Sequence, residues 1–189
     1  MTERIQSYVR EPAKRIFAAE LRDARHSFRV GEDEKSPTYV LLPTGERSNR
    51  IFIVGSLTQK EKVGEQHSMY RVRVADPTGT FFVTAGSYQP EAMQQVAKVE
   101  PPAFVAVVGK PNAYETPDGK VLISVRAETV TVVDRDIRDL WVLDSAEATL
   151  DRIDSFGESP DAEMAQKEYN PNLESYKKMV YDALVAIRP

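Results

Sequence analysis

Val74–Met93 reads VADPTGTFFVTAGSYQPEAM. A strand runs into DPTG (76–79), which has Pro second and Gly last, the type I turn pattern. TFFVTAGSY (80–88) resumes as a β-branched and aromatic strand. Pro90 then opens a helical run that Pro101-Pro102 closes. Phe81 and Phe82 are neighbours, and strand alternation sends neighbours to opposite sheet faces. Only one of the two rings can enter a core.

The flanking segments extend the pattern. RIFIVGSLTQKEKV (50–63) and MYRVRVAD (69–76) precede the stretch, and FVAVVGKP (104–111) and KVLISVRAETVTVVD (120–134) follow it. Three strands, one helix and two strands within residues 50–134 is the layout of the OB-fold, a small coiled barrel. The expected fold is therefore an all-β core with flanking helices, a five-stranded OB-fold barrel plus C-terminal helices. The long first strand of such a barrel must deform, and Gly55 allows a tight bend or a close backbone approach. In the last strand Val121, Ile123 and Val125 fall on odd positions but Val130 and Val132 on even ones. A bulge around Ala127 to Thr129 accounts for the switch.

Residues 1–49 form an N-terminal segment: a helix over PAKRIFAAELRDAR (12–25) with Ile16, Phe17 and Leu21 as its apolar face, a charged loop GEDEKSP, and a lead-in strand TYVLLPTGE. After the barrel (50–134), residues 135–157 read as one helix with Leu143, Ala146, Leu150 and Ile153 spaced by three and four. Residues 158–189 form a helical tail opened by Ser159-Pro160. The stripe at 143–153 requires cover, either from a second subunit or from this chain's own barrel or final helix.

Composition narrows the function. Among 189 residues, 41% are hydrophobic and 29% charged, which is globular rather than disordered. There is no cysteine, which excludes disulfides, iron–sulfur clusters and thiolate zinc and suits a reducing cytoplasm. No run reaches membrane-span length and none has the core of a signal peptide. Basic and acidic side chains number 9 and 8 in residues 1–49, 9 and 8 in 50–133, and 7 and 13 in 134–189, which gives the net charge of −4. Acidity is thus confined to the C-terminal helices, and any nucleic-acid site belongs to the near-neutral centre.

Strand parity proposes that site. With Phe81, Val83 and Ala85 pointing inward, Phe82, Thr84 and Tyr88 point outward. In the preceding strand Tyr70, Val72 and Val74 share the inward set, which leaves Arg71 and Arg73 outside, next to Phe82. A ring that stacks on a base beside cations that neutralise phosphates is what single-stranded nucleic acid requires. The segment between the last two strands adds Lys110, Asn112, Tyr114 and Lys120 at the rim, and Arg126 shares the outward parity of Ser124. Each has a plainer reading. Phe82 could pack under the N-terminal helix or on a partner, and the arginines could form a solvated face.

Signals for catalysis are weak. His26 and His67 stand apart without nucleophile-like or metal-like neighbours, and there is no phosphate-binding glycine loop or HExxH. No enzyme activity, cofactor or metal is expected.

REPAKRIFAAEL, TYVLLPTGERSNRIFIVG, VADPTGTFFVTAGSYQPEA and PPAFVAVVGKPNAYETPDG together resemble the archaeal replication protein A family. The likeness is to its small associated OB-fold proteins, which are similar to the middle subunit of eukaryotic replication protein A, and it covers residues 10–156. The resemblance implies a single-stranded DNA-binding subunit of a hetero-oligomeric complex in replication, recombination and repair, cytoplasmic and associated with the nucleoid. It also implies base stacking by an aromatic on the third strand and one before the fifth, here matching Phe82 and Tyr114. A larger subunit would dock through the helix after the barrel, with Leu140, Trp141, Leu143, Ala146, Leu150 and Ile153 as contacts. Some relatives carry a winged-helix module after the barrel, and residues 157–189 are too few for one. The competing reading is an OB-fold assembly or adaptor subunit that docks a larger DNA-binding partner and binds DNA weakly itself.

Overall fold

The structure, a computed structural model, describes residues 10–189. In chain order the elements are β1 (Lys14–Arg15), α1 (Ala18–Asp23), β2 (His26–Arg29), β3 (Thr38–Leu41), β4 (Arg47–Ser48), β5 (Ile51–Val63), β6 (Met69–Asp76), β7 (Gly79–Gly86), α2 (Pro90–Lys98), β8 (Ala103–Glu115), β9 (Val121–Val132), α3 (Arg135–Asp154), α4 (Pro160–Tyr169) and α5 (Leu173–Ala186). β5 to β9 form the five-stranded OB barrel, in the order β5-β6-β7-β9-β8, closed by antiparallel pairing of β8 with β5.

Closure requires β5 to serve two neighbours. Its first half, 51–57, pairs with β8, and its second half, 56–63, with β6. The strand turns between them at an extra residue, Thr58, between the paired positions Leu57 and Gln59. At Gly55 a side chain would collide with the carbonyl oxygen of Ala75, so that position has to be glycine for β6 to cross there. The expected second bulge is also present: Val108 pairs with Thr129 and Gly109 with Ala127, which leaves Glu128 unmatched. Its carboxylate meets Arg50 at 2.9 Å. The switch of apolar parity in β9 therefore follows from one inserted residue.

The barrel interior is aliphatic with one large ring, Phe81, buried among Val72, Val74, Val83, Val105, Val107 and Val125. α2 closes one end. Lys60 reaches its C-terminus and donates to the carbonyls of Val99 and Ala97 at 2.7 and 3.0 Å, satisfying acceptors that a helix end leaves open.

The N-terminal segment departs from expectation. The helix expected over 12–25 is confined to Ala18–Asp23, and Lys14–Arg15 is extended, pairing in parallel with Ile51–Phe52. The cause is tertiary: the first half of β5 has β8 on one side only, and β1 covers the open edge. Ile16 and Phe17 are still buried, but from extended chain, with Phe17 edge-on to Trp141 at 5.6 Å between centroids. α1 docks on the β6–β7 turn. Asp76 accepts from the amides of Ala18, Thr78 and Gly79 at 2.8, 2.6 and 3.0 Å, and the Thr78 hydroxyl accepts from the amide of Ala19. Burial raises the Asp76 pKa above the ordinary carboxylate value, against these hydrogen bonds, which pull it down.

β2, β3 and β4 make a second, three-stranded sheet, of which the sequence pattern foretold only β3. His26, Phe28 and Tyr39 stack along it, and Arg47 lies over Phe28 and Tyr39 at 5.0 and 5.6 Å. The tail folds back onto this sheet and onto α1. Asp161 of α4 takes Arg47 at 2.5 Å, the Tyr169 hydroxyl donates to the Leu41 carbonyl at 2.7 Å, and the Tyr176 hydroxyl donates to Asp23 at 2.8 Å. Burial, with the Asp23 carboxylate, pushes the Tyr176 hydroxyl pKa up, so it remains a donor.

Glu20 ties the two ends together. It is fully buried, accepts from the Phe17 amide at 3.0 Å and the Thr44 hydroxyl at 2.7 Å, and meets Arg152 of α3 at 2.9 Å. Removing one partner of such a pair strands a charge without solvent. Arg152→Ala is expected to lose about 3–5 kcal/mol in chemical denaturation, and adding Glu20→Gln to that variant should recover part of the loss. An Arg152→Ala protein as stable as wild type would show that the pair is not a staple.

Candidate nucleic-acid interface

β6 and β7 are in register over eight residue pairs, with Arg73 opposite Phe82 and Arg71 opposite Thr84. Side-chain alternation does the rest. Val72, Val74, Phe81 and Val83 enter the barrel, while Arg71, Arg73 and Phe82 stay outside, with Phe82 55% exposed and Phe81 2%. The Arg73 guanidinium carbon is 5.6 Å from the centroid of the Phe82 ring. A cation held on one ring face is worth about 0.5–1 kcal/mol at an exposed site. It also pre-places positive charge beside the surface on which a base would stack.

These residues line a groove of about 700 Å³ together with Tyr114. Tyr114 was expected in a loop over 112–119. It instead belongs to β8, where it pairs with Leu122, and the hairpin turns only at 116–120, held by Thr116 and Lys120 backbone hydrogen bonds. The ladder turns Tyr114 from a loop residue into the arm of a two-stranded hairpin, 49% exposed at the groove's edge. Arg22 of α1, Gln59 and Glu61 of β5, Met69 of β6 and Leu122 of β9 also line it. None of these five was foreseen. Leu122, Glu61 and Gln59 could have been found by carrying strand parity through the paired strands. Arg22 reaches the groove only because α1 docks on the β6–β7 turn, and no local signal marks that.

The other candidates lie apart. Tyr88 is 95% exposed in the turn after β7 and does not line the groove. Lys120 sits at the hairpin tip 3.4 Å from Asp118, whose carboxyl is held below its ordinary pKa by the Thr116 hydroxyl, so its charge is already matched. Lys110 and Arg126 are exposed and directly paired with each other on β8 and β9, outside the groove.

The helix contacts divide. Trp141, Ala146 and Ile153 are buried within this chain, and the Trp141 indole donates to the Phe52 carbonyl at 2.9 Å. Leu150 packs against the same core. This corrects the expected interface stripe: α3 turns it toward its own barrel and α5, because the tail folds back and covers it. Leu140 and Leu143 point outward instead, 53% and 52% exposed, with Ile137 near them in the helix. Among the described residues no group of three or more His, Asp or Glu converges as a metal site would, and no helix is long and apolar enough to cross a membrane.

No family model matches the chain, and a search of curated proteins returns no significant match. Among solved structures, a chain in the crystal structure of the S. pombe Stn1-ten1 complex aligns with TM-score 0.60 at 13% identity, over 76% of this chain and 96% of that one. At that identity the likeness shows the fold, an OB barrel with flanking helices. The second single-stranded DNA binding protein of Mycobacterium smegmatis aligns over 46% of this chain and 87% of that one, at 19% identity with TM-score 0.39, too low to carry an argument.

The parity assignment has a stability signature. Phe81→Ala is expected to cost about 3–5 kcal/mol as a core cavity. Phe82→Ala should cost no more than about 1 kcal/mol, the worth of the lost Arg73 contact. Equal losses for the two variants in thermal or urea unfolding would place Phe82 in a packed role.

Proposed function

We propose that this chain binds single-stranded DNA across the outer face of β6, β7 and the β8–β9 hairpin. It would act as an OB-fold subunit of a replication protein A-type complex in replication, recombination and repair. The observation that carries the reading is Phe82: a phenyl ring on the middle strands of a closed barrel, more than half exposed, with Arg73 against it and Arg71 and Tyr114 in the same groove. Among the described residues Arg71 and Arg73 make no ion pair, so the plainer reading of arginines paired with neighbouring glutamates loses support. Phe82 is neither covered by α1 nor inside the barrel, since more than half of it is exposed. Half-exposed rings beside arginines that form no ion pair among the described residues suit a ligand that supplies stacked bases and phosphates. In this reading the chain does no chemistry and acts where the DNA is, at the nucleoid.

A second subunit belongs to the same proposal. Ile137, Leu140 and Leu143 leave an apolar strip on α3, and the Stn1-ten1 structure is itself of a complex. We assign this strip, in place of the buried stripe, to a larger subunit. Tethering beside a stronger DNA-binding partner would raise the effective affinity of a near-neutral barrel. The adaptor reading, docking without stacking, is favoured by the same strip and by the acidity of residues 134–189.

The two readings separate in a titration of fluorescent oligo-dT with the chain and with its co-purifying partner. Each base–aromatic stack is worth about 1–3 kcal/mol, so Phe82→Ala with Tyr114→Ala should weaken binding by at least tenfold. An unchanged affinity would leave only the adaptor role. Leu140→Glu with Leu143→Glu should release the partner on size-exclusion chromatography while leaving the thermal midpoint intact, and a complex that survives those charges would move docking elsewhere.

A further inference from the structure

Directly paired positions on neighbouring strands form a line across the outer face of the barrel. Glu61 of β5 is opposite Arg71 of β6, Arg71 is opposite Thr84 of β7, Thr84 is paired with Arg126 of β9, and Arg126 is opposite Lys110 of β8. Strands lie about 4.8 Å apart, so from Arg71 to Lys110 the line covers about 14 Å. It carries three cations and, at one end, one carboxylate. Phe82 belongs to the adjacent line, with Gln59 and Arg73. β7 begins beside Ala18 and Arg22 of α1 and runs toward α2. The cationic line is therefore the one nearer α2, and the line of Phe82 the one nearer α1.

Lys110 and Arg126 call for an explanation that the fold does not supply. Like charges directly opposite one another on an antiparallel pair are destabilising. Both are exposed, and among the described residues neither makes an ion pair. Glu61 is opposite Arg71 and likewise makes no ion pair with it. A ligand with charge repeated along one direction would relieve the repulsion, and a polyanion laid across the strands has that form.

We infer that the sugar–phosphate backbone of a bound single strand crosses the barrel along Arg71, Arg126 and Lys110, while its bases lie toward Phe82 and Tyr114. Glu61 ends this track by repelling phosphate beyond Arg71. The inference rests on the single-stranded DNA reading above and adds a separation of roles: one transverse line takes charge and the next takes bases. Contacts to phosphate do not distinguish one base from another, whereas stacking requires that a base be present.

The test uses the full chain, with its partner if required, and two probes of equal length: oligo-dT and an abasic oligodeoxynucleotide that keeps the phosphates and lacks the bases. Affinities are read at several salt concentrations. Lys110→Gln with Arg126→Gln should weaken both probes by the same factor and reduce the salt slope for oligo-dT by about 1.4, near 0.7 per lost phosphate contact on single strands. Phe82→Ala should weaken oligo-dT and leave the abasic probe unchanged. Glu61→Gln should tighten both. Because the Lys110/Arg126 change removes a repulsive pair, its thermal midpoint should not fall, and the single variants, each lowering the slope by about 0.7, serve if the double variant misfolds. If wild type binds oligo-dT and Phe82→Ala weakens it while the Lys110/Arg126 variants keep the wild-type slope, the track is overturned and the DNA reading stands. If wild type binds neither probe, alone or with its partner, the DNA reading itself falls and the track with it.

Discussion

The structure depends on β5 being one strand with two partners. A barrel of five strands closes only if its first strand leaves β6 and passes to β8 without a break in hydrogen bonding. Thr58, as an extra residue, and Gly55, with no side chain where Ala75 approaches, make that passage possible. The tight turn between β6 and β7 sets their register, and closure decides which of their alternating faces is buried and which faces out. The exposure of Phe82 beside Arg73 is a consequence of closure, and so is the line of cations beyond it. The bend also leaves an open edge on the first half of β5, which β1 fills, so the extended course of the N-terminal segment has the same origin.

A buried charge organises the rest. Glu20 holds the start of α1, the Thr44 turn and Arg152 of α3 at one point. Arg47, stacked on two rings of the small sheet, holds α4 through Asp161. The N-terminal sheet and the C-terminal helices are thus locked to each other on one flank of the barrel, and none of them lines the groove. This locking turns the apolar stripe of α3 inward and leaves Ile137, Leu140 and Leu143 as its exposed remainder. The acidity of residues 134–189 is carried on helices that do not line the groove, so a chain with net charge −4 still presents arginines where an anion would meet them.

The strand layout, the Gly55 bend, the bulge near residue 128 and the opposite fates of Phe81 and Phe82 were legible in the sequence. All are local consequences of a period of two and of turn chemistry. The pairing of Arg71 and Arg73 with the Phe82 face was legible for the same reason, since a tight turn joins the two strands. The helix expected at 12–17, the loop expected at 112–115 and the docking role expected of Trp141, Ala146 and Ile153 were not. In each case a distant segment outweighed a local preference: the open edge of β5 took Lys14–Arg15, the ladder to β9 took Tyr114, and the barrel with α5 took the stripe of α3.

By itself the amino-acid order determined which residues alternate, where the chain turns and which side chains could share a face, because these depend on neighbours within a few positions. Only the tertiary structure decided which faces meet: that Arg22 joins the groove, that Lys110 stands opposite Arg126, and that the tail closes over α3. Those pairings depend on strand register and helix docking between segments far apart in the chain, and their energies exist only once the barrel has closed.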